Sequence, residues 1–184
     1  MTIHQFQPAR RHAALTLAAT ALLASGCASK PRPSARRTAP SAPAARGGGS
    51  ALGIPSSQRE AAVAQTLLLV NTPYTYGGNT PQGGFDCSGL IQYVFRQIGG
   101  SQTPLPRTTA QWAAAAVPVP QSQLQRGDLV FFNTTGAPFS HMGLYVGSGQ
   151  FVHAPSSGGT VRKARLDNVY FAPRYLGARR VFAA

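Results

Sequence analysis

The chain has 184 residues and is 43% hydrophobic, with 17 Lys+Arg against 4 Asp+Glu, a formal charge of +13. The apolar fraction excludes a wholly disordered chain, and no uninterrupted apolar run reaches the roughly 18–20 residues that a membrane-spanning helix needs. Two cysteines exclude a disulfide scaffold.

The charge is unevenly placed. Residues 1–50 hold Arg10, Arg11, Lys30, Arg32, Arg36, Arg37 and Arg46 with no acid, while Glu60, Asp86, Asp128 and Asp167 all fall in the remainder. The first 26 residues read as an export signal: Arg10-Arg11, an apolar run of about 12 residues from Ala13 to Ala24, then Ser25-Gly26-Cys27. Leu23-Ala24-Ser25-Gly26-Cys27 resembles a lipobox, although Ala24 stands where leucine is usual, and this implies lipidation of Cys27. Ordinary signal-peptidase cleavage is the alternative. Ala28 after the cysteine implies outer-membrane sorting in a Gram-negative host.

Residues 27–57 are dominated by Pro, Ala, Ser, Gly and Arg and cannot form a core. They read as a tether with a reach on the order of 30 Å. Its charges are either merely solvating or attracted to anionic lipid head groups or wall polymers. An exported chain makes nucleic acid a poor partner.

The folded domain is expected over 58–184. Ser57 and Glu60 have capping-box spacing for a first helix with Val63, Leu67 and Val70 as its apolar stripe, stopped at Asn71-Thr72-Pro73. A glycine-rich turning loop, 74–84, follows. Leu90, Ile91, Val94, Phe95 and Ile98 then mark one face of a second helix closed by Gly99-Gly100. Cys87 falls at its first turn, where unpaired backbone N–H groups and the helix dipole favour a thiolate. A third helix is expected from Thr109 to Ala116, with Thr108 and Gln111 at capping-box spacing.

Beyond Pro120 the pattern alternates. Strands are expected at Leu129–Phe132, His141–Val146, Phe151–Ala154, Thr160–Arg165 and Arg179–Phe182. Helices followed by short strands imply an α+β fold, an antiparallel sheet packed on the cysteine helix. A turn centred near Gly147 would set His141 and His153 across from each other on one face with Gly143, Tyr145 and Phe151. Met142, Leu144, Val146 and Val152 would face the core; a one-residue slip would separate the histidines.

A thiol at a helix start, a histidine to take its proton and a second polar group to hold that histidine are the parts of a cysteine nucleophile site. Cys87 taken alone reads better as a buried inert thiol. The two histidines have no second cysteine or clustered carboxylate to complete a tetrahedral metal site, so neither a metal nor another cofactor is expected. Asp86 reads as a helix-start acid or a substrate contact, Tyr74 as core or site wall, Asp128 as a turn residue and Trp112 as packing.

Tyr74-Thr75-Tyr76-Gly77-Gly78, Asp86-Cys87-Ser88-Gly89-Leu90-Ile91, Leu105-Pro106-Arg107-Thr108-Thr109, Gly127-Asp128-Leu129-Val130-Phe131-Phe132, His141 to Gly147 and His153-Ala154 together resemble the NlpC/P60 cysteine peptidases. They are similar to that family's small lipoprotein members in particular. The resemblance implies a papain-like α+β fold with Cys87 as nucleophile, His141 as general base and His153 as polar third member. Tyr74, Asp86, Ser88 and Arg107 match positions at the family's substrate site, Arg107 without a defined role. The implied substrate is peptidoglycan, cut at a γ-D-glutamyl–diamino acid or D-alanyl–diaminopimelyl bond in the cell envelope, on the periplasmic face of the outer membrane. A catalytically silent wall-binding lipoprotein, and an amidase or acyltransferase on the same fold, are the alternatives.

Overall fold

The computed structural model describes residues 52–99 and 104–183. The expected signal segment, Cys27 and the tether as far as residue 51 lie outside the described residues. Packing begins before the expected boundary at 58. Leu52 and Ile54 are buried, Ile54 bridges to Phe182, and the Ala183 N–H donates to the Ile54 carbonyl at 2.8 Å. Two isolated apolar residues among Gly, Pro and Ser carry no periodicity that would reveal this in the sequence.

Helix α1, Arg59–Leu68, starts after a 3-10 turn at Ser56–Gln58, and no side chain caps it. The expected capping box is therefore absent. Glu60 instead meets Arg126, whose Nε and Nη2 donate to its carboxylate at 2.8–3.1 Å. A charge-assisted guanidinium fork outcompetes a local backbone amide for the same oxygens. Val63 is buried as expected, Leu67 and Val70 pack at the core edge, and Asn71 turns the chain with φ 75°.

The glycine-rich loop contains a small antiparallel hairpin, β1 (Asn79–Thr80) and β2 (Gly84–Phe85). Helix α2, Cys87–Gln97, follows at once and buries Leu90, Ile91, Val94 and Phe95 completely. Helix α3, Thr109–Ala115, carries the expected capping box, with Thr108 and Gln111 satisfying each other's backbone N–H. Its Trp112 is buried 5.5 Å from Phe95, as a packing residue should be.

Six strands form one antiparallel sheet: β3 (Val117–Val119), β4 (Leu129–Phe132), β5 (His141–Gly147), β6 (Gln150–His153), β7 (Arg162–Arg165) and β8 (Tyr175–Arg180), in the order β3-β8-β4-β5-β6-β7. Strand β3 was not expected from the sequence, because its Pro118 lacks a ladder donor. An edge position tolerates that. Leu129, Phe131, Met142, Leu144 and Val152 face the helices, while Val130, Phe132, Phe151 and Phe171 form a second apolar layer on the other face. The α+β expectation holds, and the nucleophile helix packs chiefly on β5.

Candidate active site

Cys87 is the first residue of α2. Asp86 caps that helix, accepting from the Gly89 N–H at 2.6 Å, and so fixes where the first turn begins. The glycine loop lies directly on this turn: the Asp86 N–H donates to Gly78, and the Gly77 N–H donates to Asp86 Oδ2, each at 3.1 Å. Gly89 is obligatory here, because a Cβ would collide with the Gly78 carbonyl.

Backbone N–H groups of Met142, Ser88 and Cys87 itself act on the sulfur in favour of the thiolate, which places it near the start of β5. These donors do not make it a resting thiolate. Burial, then the neighbouring Asp86 charge, push the Cys87 pKa up to about 11. The helix start alone predicts the opposite, and it is outweighed because the sulfur is enclosed and the capping residue is itself an anion.

His141 and His153 share one face of the sheet, as expected for a turn near Gly147. Leu144 pairs with Val152, and a register shift occurs between Tyr145 and Gly147, so the histidines stand diagonally rather than directly opposite. The diagonal brings Nε2 of His141 within 2.9 Å of Nδ1 of His153. Gly143 occupies the space between them: a Cβ there would lie 2.7 Å from the Phe151 ring and 3.2 Å from Cβ of His153. Met142, Leu144, Val146 and Val152 point to the helix side as expected.

Burial pushes the His141 pKa down to about 4, and burial followed by the His141 and Arg162 charges pushes that of His153 down to about 3. Both imidazoles are neutral at pH 7. Phe171 closes over the pair, its ring 5.1 Å from His153 and 6.3 Å from His141. Nothing in the sequence pattern signalled Phe171, an aromatic in an irregular segment.

Asp86 also receives both arms of Arg107, at 3.0 and 2.7 Å, and the Ser88 hydroxyl at 3.1 Å. Arg107 further donates to Ser88 Oγ at 3.0 Å. Burial alone would raise the Asp86 carboxyl, but the Arg107 guanidinium and the Gly89 and Ser88 donors hold it below the ordinary carboxylate range. Gln92, unremarked in the sequence, delivers Arg107 to this place by donating to the carbonyls of Leu105 and Pro106 at 3.3 and 3.1 Å. A glutamine buried on an apolar helix was the available signal.

Burial raises the Tyr74 phenol, and the Cys87, Asp86 and Tyr76 charges add to that rise, which places it beside the nucleophile. The structure thus gathers Tyr74, Asp86, Cys87, Ser88 and Arg107 into one cluster, and pairs His141 with His153 on the sheet against which α2 packs. Among the described residues no group of three His, Cys, Asp or Glu converges as a metal site. Asp128 belongs to the scaffold: it is fully buried and holds Arg180 through two bonds of 2.8 Å.

The NlpC/P60 family model matches residues 71–180, more than half of the chain. The chain belongs to the NlpC/P60 family. It is 37% identical over 127 residues to the murein DD-endopeptidase MepH of Escherichia coli, covering 67% of this chain and 47% of that protein. Over 119 residues it is 44% identical to the probable peptidoglycan endopeptidase LytE of Bacillus subtilis, covering 64% and 33%. The chain thus spans about half or less of these relatives.

Solved NlpC/P60 structures share the fold. A lipoprotein-like family member from Staphylococcus aureus superposes with TM-score 0.62 at 30% identity, over 72% of this chain and 44% of that one. The NlpC/P60 domain of the peptidoglycan hydrolase SagA gives TM-score 0.54 at 32% identity, over 66% and 97%. The NlpC/P60 architecture in this chain therefore presents a neutral thiol at a helix start and a buried, neutral histidine pair on the adjoining strands.

Proposed function

We propose that this chain is a peptidoglycan endopeptidase of the cysteine type, with Cys87 as nucleophile, His141 as general base and His153 as the residue that orients it. The observation that carries this reading is the 2.9 Å contact between His141 Nε2 and His153 Nδ1, with His141 opening the strand β5 on which α2, headed by Cys87, packs. With Nε2 engaged, Nδ1 is the nitrogen left to serve Cys87. The relatives named as murein and peptidoglycan endopeptidases support peptidoglycan as substrate.

Because thiol and imidazole are both neutral at rest, proton transfer accompanies attack. His141 Nδ1 takes the thiol proton as Sγ adds to the amide carbonyl, and backbone N–H groups at the helix start face the developing oxyanion. The imidazolium then protonates the leaving amine, giving an acyl-enzyme that water hydrolyses with His141 again as base. A neutral His153 orients His141 without supplying a compensating negative charge. Tyr74, Asp86, Ser88 and Arg107 would hold the acyl side of the substrate.

The scissile bond is a γ-D-glutamyl–diamino acid or D-alanyl–diaminopimelyl amide. Digestion of purified murein by wild type and Cys87→Ala, with mass spectrometry of the fragments, tests enzyme and bond together. Identical product sets from the two proteins would sink the proposal, and cuts at N-acetylmuramyl-L-alanine would reassign it to an amidase. Export through residues 1–26, a tether beginning at residue 27 and a lipid on Cys27 would hold the enzyme at the periplasmic face of the outer membrane. Cys27→Ala should move the protein out of the membrane fraction; retention there would refute the anchor.

A further inference from the structure

A cavity of about 410 Å³ opens beside the histidine pair. It shares His141 with the nucleophile but includes none of Tyr74, Asp86, Ser88 or Arg107 in its wall. His153, Arg162, Lys163, Ser156 and Asn168 line it instead. In the β6–β7 ladder His153 pairs directly with Arg162, so these two side chains share a face.

On this face the Arg162 guanidinium has no carboxylate of its own, while Lys163, paired with Val152, points to the other face. The chain has four acidic residues. Glu60 is paired with Arg126, Asp86 with Arg107, Asp128 with Arg59 and Arg180, and Asp167 with Arg165. Among the described residues no acidic side chain remains for Arg162 or Lys163.

The imidazole paired with Arg162 carries an unused donor. His153 is 1% exposed, and its Nε2 has no hydrogen-bond partner. For His141 to offer an unprotonated Nδ1 to Cys87, its Nε2 must carry the proton and donate to His153 Nδ1. His153 then holds its own proton on Nε2, as a buried donor with no acceptor. The unpaired Arg162 guanidinium and an orphaned N–H bordering one cavity are complementary to a carboxylate.

We propose that this cavity is a subsite for a carboxylate of the diamino acid on the leaving side of the cleaved bond. The inference rests on the peptidase reading of the same site. His141 delivers its proton to the leaving amine, so the residue bearing that amine lies over His141, next to the cavity. A diaminopimelyl residue keeps a free carboxylate whichever of its amines is released. Accepting from His153 Nε2–H, that carboxylate would supply the negative charge that a neutral third residue does not, so the substrate completes the relay.

The test uses murein stem peptides and cross-linked dimers in matched pairs, with diaminopimelate as the free acid or as its carboxamide. Wild type should favour the acid in kcat/KM by about tenfold, the equivalent of one charge-assisted hydrogen bond. Arg162→Gln should bring the ratio close to one. Arg165→Gln, on the same strand but outside the cavity, should leave it high. Equal wild-type rates on acid and amide, a ratio preserved in Arg162→Gln, or an equal fall with Arg165→Gln would each overturn the subsite while leaving the peptidase reading intact. Cleavage of neither substrate by wild type would instead overturn the peptidase reading, and the subsite with it.

Discussion

Nε2 of His141 lies 2.9 Å from Nδ1 of His153, with the two rings at 87°. One hydrogen bond therefore couples the tautomers of the two imidazoles and leaves Nδ1 as the free nitrogen of His141. Because His153 acts through orientation, His153→Ala should lower kcat by about tenfold to a hundredfold, less than the roughly 10²–10⁴ that proton transfer itself supplies. His153→Asn, which retains an acceptor, should recover part of the loss with the same pH profile. A His153→Ala loss as complete as that of Cys87→Ala would contradict a positioning role.

The histidines also make acid a destabilising condition. Their folded pKa values, about 4 and about 3, lie below the ordinary 6.5, so between these limits the unfolded chain binds protons that the folded one excludes. Stability should fall as pH drops from about 6.5 toward 3, and be fully retained above that window. Activity should fail as His141 protonates near pH 4, since a charged imidazole cannot accept the thiol proton. Thermal melts at pH 7, 5 and 4 check the first point, and His153→Gln should flatten the slope. A midpoint independent of pH over this range would refute it.

Gly143→Ala tests the space beneath the pair. The added methyl would meet the Phe151 ring and the Val152 carbonyl at 2.7 Å, both on packed strands that yield little. The expected loss is about 1–3 kcal/mol of stability, the range for overpacking a core. The folded fraction should also show reduced kcat, because the His153 Cβ lies in the path. Unchanged melting and turnover would mean that β5 and β6 separate more readily than their pairing suggests.

Asp128 offers a contrast, a scaffold residue remote from the chemistry. Asp128→Ala leaves Arg180 and Arg59 facing a buried vacancy and frees the Gln125 N–H. The loss should be about 2–3 kcal/mol, somewhat under that of a wholly enclosed pair, because both arginines retain solvent. Turnover of the folded fraction should be unaffected. Denaturant titration alongside kcat/KM separates the two, and a kcat defect at full stability would contradict the assignment.

Much of this site was legible because its parts are local. Thr108 and Gln111 specify a cap within one turn, and Cys87 follows Asp86 directly into a helix whose apolar stripe is four residues long in period. The face shared by His141 and His153 depends only on even spacing and a turn between them. The Ser57–Glu60 box failed because Glu60 had a better partner 66 residues away in Arg126. Strand β3, Leu52 and Ile54 were missed because each owes its state to what it packs against rather than to its neighbours in sequence.

The sequence by itself determined the α+β order of elements, the first-turn position of Cys87 and the common face of the histidines, since these follow from backbone periodicity and short-range hydrogen bonds. Tertiary structure alone decided the diagonal register of the pair, the delivery of Arg107 to Asp86 through Gln92, and the cavity bordered by His153 and Arg162. It also decided the protonation states. A helix start in isolation favours a thiolate, but in the folded chain the enclosure of Cys87 and the charge of Asp86 raise its pKa to about 11. Proximity along the chain sets which groups can meet, and the dielectric surroundings that set their charge exist only once distant segments have closed around them.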